Sequence, residues 1–173
     1  MIGVAATRIA FQIALVSLVS YAAGFQFTSL FHVASANIGG LWSAISGIVV
    51  LQATQRDTWS SASLRVLGTF IGAIISAVYL TVLPFSVIGM AVSVFATVLL
   101  CQVARIPDHA RLAAITVVVI MVVTSIDPTL NPVRNAALRF SESFIGTAIA
   151  VLIILLWPGS KGLSPESIKS KHE

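Results

Sequence analysis

Charge is what this sequence has least of. Of 173 residues, ten are Lys or Arg and six are Asp or Glu, against 57% hydrophobic residues and a mean hydropathy of +1.00. That excludes an ordinary soluble domain, in which about a quarter of the residues are charged. Cysteine is nearly absent too: Cys101 stands alone inside an apolar run, so no internal disulfide can form and a packing role is expected. The three histidines, His32, His109 and His172, have no ligand spacing, so no metal or other cofactor is expected. There is no GxxxxGK[ST] phosphate loop, no GxSxG elbow and no carboxylate-rich lipid-enzyme motif, so an enzyme has no support. The apolar runs do not alternate as barrel strands would.

What charge there is lies segregated. None occurs in residues 9–55, 66–104, 112–126 or 143–160. A helix needs about 20 apolar residues to cross the hydrocarbon, so the first two gaps hold two spans each and the last two hold one each. The expected fold is therefore an all-α integral membrane protein. Its six-helix unit covers 1–158, with spans at about 8–29, 39–55, 64–83, 87–103, 110–126 and 134–157, and a polar, disordered cytoplasmic tail follows at 159–173. Arg8 and the apolar run behind it imitate a signal peptide, but the run is long and five further spans follow, so a retained helix is expected. Residues 56–64 read as a loop, Asp108 as the cap of the fifth helix, and Asn131-Pro132 as the cap and first turn of the sixth. Asp127 and Arg134 bracket one turn and invite an ion pair. With the N-terminus inside, eight Lys or Arg residues fall on the inner side and only Arg134 and Arg139 on the outer side, so N-in and C-in is the expected orientation. The net charge of +4 follows from that bias, and no nucleic-acid partner is expected. Trp42 then falls at the outer interface, and Trp59 and Trp157 at the inner one.

The chain also repeats itself. Leu64–Ile75, LRVLGTFIGAII, and Leu138–Ile149, LRFSESFIGTAI, share six of twelve residues at a separation of 74. Each half holds three spans, an odd number, so the halves insert in opposite senses. This is the 3+3 inverted repeat of many transporters, whose sites lie between the halves near the midplane. The short second and fifth spans correspond as well, a further pointer to a site. Gly68, Gly72 and Ser76 share one helix face, and Gly146 repeats Gly72; small residues so placed admit another helix closely.

Two arginines are the first candidates for chemistry. Arg65 begins the third span and reads either as a snorkelling anchor or as an anion ligand. Arg139 lies seven residues past Pro132, on the side where positive charge is avoided, which favours function. Glu142 shares its helix face and reads either as a proton-coupling or gating carboxylate, or as a structural partner. Ser43, Ser46 and Gln52 of the second span are candidate polar contacts for a substrate.

Leu41–Gly72 resembles the signature of the fusaric acid resistance superfamily, which includes bacterial aromatic acid exporters and is similar to plant aluminium-activated malate transporters. The match runs through Trp42, Ser43, Ala44, Ser46, Val49, Val50, Leu51 and Gln52, then Arg65, Gly68, Thr69 and Gly72; Arg139-Phe140 and Gly146 resemble the second motif. Gln52-Ala53 replaces a Gln-Pro common in the family. The resemblance implies export of small organic anions, often aromatic carboxylates, across a bacterial inner membrane, with the two arginines near the path. It also implies a membrane-fusion partner for some relatives. One six-helix unit where many relatives have two suggests a homo-oligomer, most simply a dimer. A passive anion channel and a non-transporting subunit of an efflux assembly are the alternatives.

Overall fold

The computed structural model describes residues 4–127 and 129–157; the expected tail at 159–173 lies outside the described residues. Six α-helices follow one another: α1 Val4–Phe31, α2 Ala36–Val50, α3 Gln55–Val82, α4 Val87–Val103, α5 Pro107–Ile126 and α6 Pro132–Leu156, with one 3-10 turn, Val33–Ser35, leading into α2. No strand occurs among the described residues. Five segments are long and apolar enough to cross a membrane, the second of them Val33–Val50; α4 is a shorter apolar helix. The chain is a multi-pass, six-helix membrane protein. One end of the bundle carries Arg8, Arg56, Arg105 and Arg111, and is called the arginine-rich end below. The turn from α5 to α6 lies at the far end.

Three local expectations change. Residues 56–64 are helical, because Thr54 caps α3 ten residues before Leu64. Its hydroxyl accepts from the Asp57 amide at 3.1 Å and donates to the Asp57 carboxylate at 2.7 Å. Charged residues marked the limit of the apolar run there, not the limit of the helix. At 28 residues α3 is about 42 Å long and outruns the hydrocarbon. Arg65 therefore stands ten residues into the helix instead of beginning it. Asp108 does not cap α5, since Pro107 takes the first helical position and Ile106 the cap. Asn131 does cap α6, accepting from Val133 N at 2.9 Å.

Asp127 and Arg134 do not pair. Asp127 accepts from the Thr129 hydroxyl at 2.5 Å and lies 3.8 Å from His32 Nε2. The Thr129 bond first, and His32 after it, hold its carboxyl below the usual range. Arg134 instead donates to the Phe31 carbonyl, tying α6 to the end of α1.

The inverted repeat is visible in the packing. In one half α2 packs on α1 and on α6; in the other α5 packs on α4 and on α3; α3 and α6 pack on each other. Two grooves run along the α3–α6 face. One, about 480 Å³, is lined by Trp59, Ala62, Ser63 and Val66 of α3 and by Phe144, Thr147, Ala148, Val151, Leu152 and Leu155 of α6. The other, about 290 Å³, is lined by Phe70, Ala73, Ile74 and Ala77 of α3 and by Val133, Ala136, Ala137 and Phe140 of α6. Moving the α3 residues of either groove on by 74 gives α6 residues of the other. The pseudo-twofold axis crosses between Thr69 and Ser143, themselves 74 apart, whose hydroxyls are 3.1 Å from each other.

The second and fifth helices also correspond, but at a separation of 70. A Cβ on Gly72 would fall on the Ala113 carbonyl of α5, and one on Gly146 on the Ser43 carbonyl of α2. Ser46 donates to the Trp42 carbonyl at 2.7 Å, and Thr116 to the Leu112 carbonyl at 2.9 Å. These glycines let backbone meet backbone, the close approach that helix association in lipid depends on.

Two glycine substitutions test this packing. Gly146→Ala forces α2 and α6 apart and is expected to lose about 1–3 kcal/mol through overpacking. A Cβ on Gly89 would meet the Tyr79 phenol and the Ser86 hydroxyl, side-chain atoms that can turn aside where backbone cannot, so Gly89→Ala is expected to cost less than Gly146→Ala. Thermal unfolding of the two variants in detergent makes the comparison; equal melting temperatures would show that α2 and α6 have room to spare.

Candidate functional site

Arg65 is 1% exposed, and none of its bonds goes to a carboxylate. Nε donates to Ser46 Oγ and to Ser143 Oγ, both at 3.2 Å, and Nη2 donates to Ser46 Oγ at 2.8 Å. The guanidinium lies over the Trp42 ring, 4.6 Å from its centroid. Trp42 is itself 4% exposed, so it is the platform beneath a buried cation and not part of an interfacial aromatic belt. An arginine at the bilayer centre costs about 3 kcal/mol. Hydrogen bonds to a charged group return about 1.5–3 kcal/mol and a cation–π contact about 0.5–2 kcal/mol. The arrangement roughly breaks even, so stability alone does not explain an arginine here. Headgroup snorkelling does not explain it either, because the side chain is enclosed by α2, α3 and α6.

Arg139 is fully buried, with Nη2 2.9 Å from Glu142 Oε1. Glu142, also fully buried, accepts from Thr28 Oγ1 of α1 at 2.6 Å. Gly39 of α2 makes room for this pair, since a Cβ there would fall on Thr28 and within 2.7 Å of the carboxylate. Arg139 Nε and Nη1 have no hydrogen-bond partner, and neither has Trp42 Nε1. A buried donor left unpaired costs about 1–3 kcal/mol. Two guanidiniums are thus buried with one carboxylate, which pairs with Arg139 alone and whose Oε2 has no hydrogen-bond partner either.

The structure brings Arg65, Ser46, Arg139 and Glu142 around the pseudo-twofold axis. Ser43 is fully buried beside them, its carbonyl against Gly146 and its hydroxyl without a partner. Gln52 stays outside. It lies beyond the end of α2, exposed, and its amide donates to the Val49 carbonyl at 3.1 Å. Gly68 and Gly72 pack α3 on α5, and Gly146 packs α6 on α2. Four side chains at the site were not among the candidates for chemistry, although Trp42 and Thr69 fall within the matched signature. Ser143 and Thr69 were legible in the repeat as hydroxyls at matched positions. Thr28 gave no signal, being one hydroxyl in a long apolar helix. Trp42 gave a misleading one.

Arg65, Arg139 and Glu142 line neither the two α3–α6 grooves nor two further clefts at the ends of the bundle. One of about 430 Å³ opens at the arginine-rich end, over Val49, Leu64 and Leu112, with Arg111 and Asp108 at its rim. Val49 stands one turn from Ser46 on α2, and Leu64 adjoins Arg65. A smaller one, about 190 Å³, opens at the far end between Phe27, Phe31, Leu138 and Ser141, with Arg134 at its rim. Phe27 adjoins Thr28, and Ser141 adjoins Glu142. The buried charges therefore lie enclosed between clefts at opposite ends.

A sequence profile described as fusaric acid resistance protein-like matches residues 15–153. The chain belongs to that family. No curated protein and no solved structure gives a match. As a member of the fusaric acid resistance protein-like family, the chain is a membrane transport protein for small molecules.

The two arginines differ in what their loss leaves behind. Arg139→Met strands the Glu142 carboxylate in the bundle and is expected to destabilise by about 3–5 kcal/mol, the usual cost of breaking a buried pair. Arg65→Met strands no charge, because Ser46 and Ser143 keep their partners Trp42 O and Thr69. It is expected to change stability by less than about 1.5 kcal/mol, as apolar replacements of buried charge generally do. Chemical unfolding in detergent separates the two, and equal losses would mean that Arg65 has a structural counter-charge.

Proposed function

We propose that this chain exports small organic anions, aromatic carboxylates in particular, across the bacterial inner membrane with both termini inside. The observation that carries the reading is the excess of buried positive charge and donors: two guanidiniums against one carboxylate, and Arg139 Nε, Arg139 Nη1 and Trp42 Nε1 without partners against one unpartnered carboxylate oxygen, Glu142 Oε2. A carboxylate accepts two parallel hydrogen bonds from a guanidinium and brings the charge that Arg65 lacks. Trp42 would offer its face or edge to an aromatic ring. Glu142 holds Arg139 until an anion replaces it, and protonation of Glu142 would weaken its hold, which supplies a route to proton coupling. The orientation follows from Arg8, Arg56, Arg105 and Arg111 at one end against Arg134 at the other. A homodimer would supply the two units of longer relatives, and a membrane-fusion partner would extend the route outward.

A passive channel on the same scaffold is the second reading. It is favoured by the file of Arg111, Arg65, Arg139 and Arg134 between clefts at opposite ends. Flux into proteoliposomes discriminates. Arg139→Ala is expected to abolish movement of an aromatic carboxylate, and Arg139→Lys to restore part of it, because a lysine keeps the charge but not the two-pronged grip. Glu142→Gln is expected to end uphill transport in a proton-coupled exporter and to leave downhill flux in a channel. Full transport by both Arg139 variants removes Arg139 from the path.

A further inference from the structure

The two halves match in architecture but not in state, and the difference lies at the two ends of the bundle. The cleft at the arginine-rich end is lined by Val49 of α2, Ser61 and Leu64 of α3, and the first turns of α5. Exchanging the halves by the separations above carries Ser61 to Asn135, Leu64 to Leu138, Val49 to Val119 and Leu112 to Trp42. Asn135 is fully buried, and Leu138 and Trp42 are each 4% exposed, whereas none of their counterparts in the cleft is buried. Asn135 closes this place by hydrogen bonding. Its Nδ2 donates to the Ile120 carbonyl and to Thr124 Oγ1 of α5, both at 3.0 Å. Ser61, at the corresponding place, bonds neither Val50 nor Thr54, the counterparts of Ile120 and Thr124; α2 ends at Val50, and Thr54 caps α3 instead. Asn135 Oδ1 has no partner, so the latch is only partly satisfied and is correspondingly easy to release.

The arginines follow the same asymmetry. Arg65 is seated on Ser46 and reaches across the axis to Ser143. The counterparts of those hydroxyls, Thr116 and Thr69, are both fully buried, yet Arg139 bonds neither. It is held instead by Glu142, which stands where α3 has Gly68. Arg139 thus has a second seat, formed but unused.

We infer that this structure is one of two states related by exchanging the halves: the cleft between α2, α3 and α5 is open at the arginine-rich end, its counterpart between α5, α6 and α2 is closed, and Asn135 is the latch that closes it; the smaller far-end cleft lies on the other side of Leu138, between α1 and α6. In the other state Asn135 releases α5, Arg139 moves from Glu142 to Thr116 and Thr69, and Ser61 and Leu64 close against α2. An anion held between the arginines would then face the far end. The inference rests on the transport reading above, but its test needs no transport.

The test is labelling by a membrane-impermeant, hydrophilic maleimide, with Cys101 replaced by Ala and a single cysteine placed at Val49 or at Val119. Val49 is 40% exposed and Val119 half-buried, so Val49→Cys is expected to react from the arginine-rich end and Val119→Cys to react more slowly. Asn135→Ala should raise the Val119→Cys rate and lower the Val49→Cys rate, each by about tenfold, the shift expected for losing one or two hydrogen bonds. Thr124→Val removes one of the two bonds and should move both rates the same way by less, which keeps the test open if Asn135→Ala does not fold. Rates that move together, or that Thr124→Val leaves unchanged, would overturn the latch. Labelling of Val119→Cys as fast as Val49→Cys in the native background would mean a continuous pore and no pair of states. Loss of anion flux with the reciprocal shift intact would refute the transport reading and leave the two states standing.

Discussion

A guanidinium in the middle of a bilayer must be surrounded by something other than lipid, and this bundle is arranged around two of them. Arg65 and Arg139 occupy equivalent places on α3 and α6, and the helices that enclose them are brought close by glycines at equivalent places. Gly146 sets α2 against α6, Gly72 sets α5 against α3, and Gly39 opens the slot for Glu142. The close helix contacts and the buried charges are thus one construction. Without the glycines the backbones would stand farther apart, and neither the Ser46 bonds to Arg65 nor the Thr28 bond to Glu142 would reach.

The two halves resolve the same electrostatic problem differently. Arg65 spreads its charge over two serine hydroxyls and an indole face. Arg139 is met by a carboxylate but keeps two nitrogens unpaired. A chain selected only for stability would do better with apolar side chains at both places, because buried ion pairs of this kind rarely repay their desolvation. Their retention, with donors in excess over acceptors, is what makes an anionic ligand the natural complement of the site.

Much of this was legible in the sequence. The charge-free runs located the membrane helices, because lipid tolerates few charges. The repeat of Leu138–Ile149 on Leu64–Ile75 located the pseudo-twofold axis, because a duplicated segment keeps its packing face. What was not legible has physical reasons. The start of α3 lay hidden because a helix that projects beyond the hydrocarbon can carry Arg56 and Asp57, so the charge limit and the helix limit differ. Trp42 looked interfacial because tryptophan commonly is, and only the packing shows it under Arg65. Gln52 seemed to continue α2, but the helix stops at Val50. Thr28 bonds to a residue 114 positions away, and no local pattern announces such a pair. The unlike states of the two halves could not be read at all, since the same sequence serves both.

Charge selectivity tests the central claim most directly. Purified protein in liposomes would be offered three molecules of nearly equal size and shape: an aromatic carboxylate, its neutral amide and the corresponding cationic amine. A site made of two guanidiniums and one carboxylate should pass the carboxylate and reject the amine, with the amide at background. Movement of the amide or the amine at the rate of the carboxylate would contradict it, and would mean that the buried arginines hold the bundle together without touching what it carries.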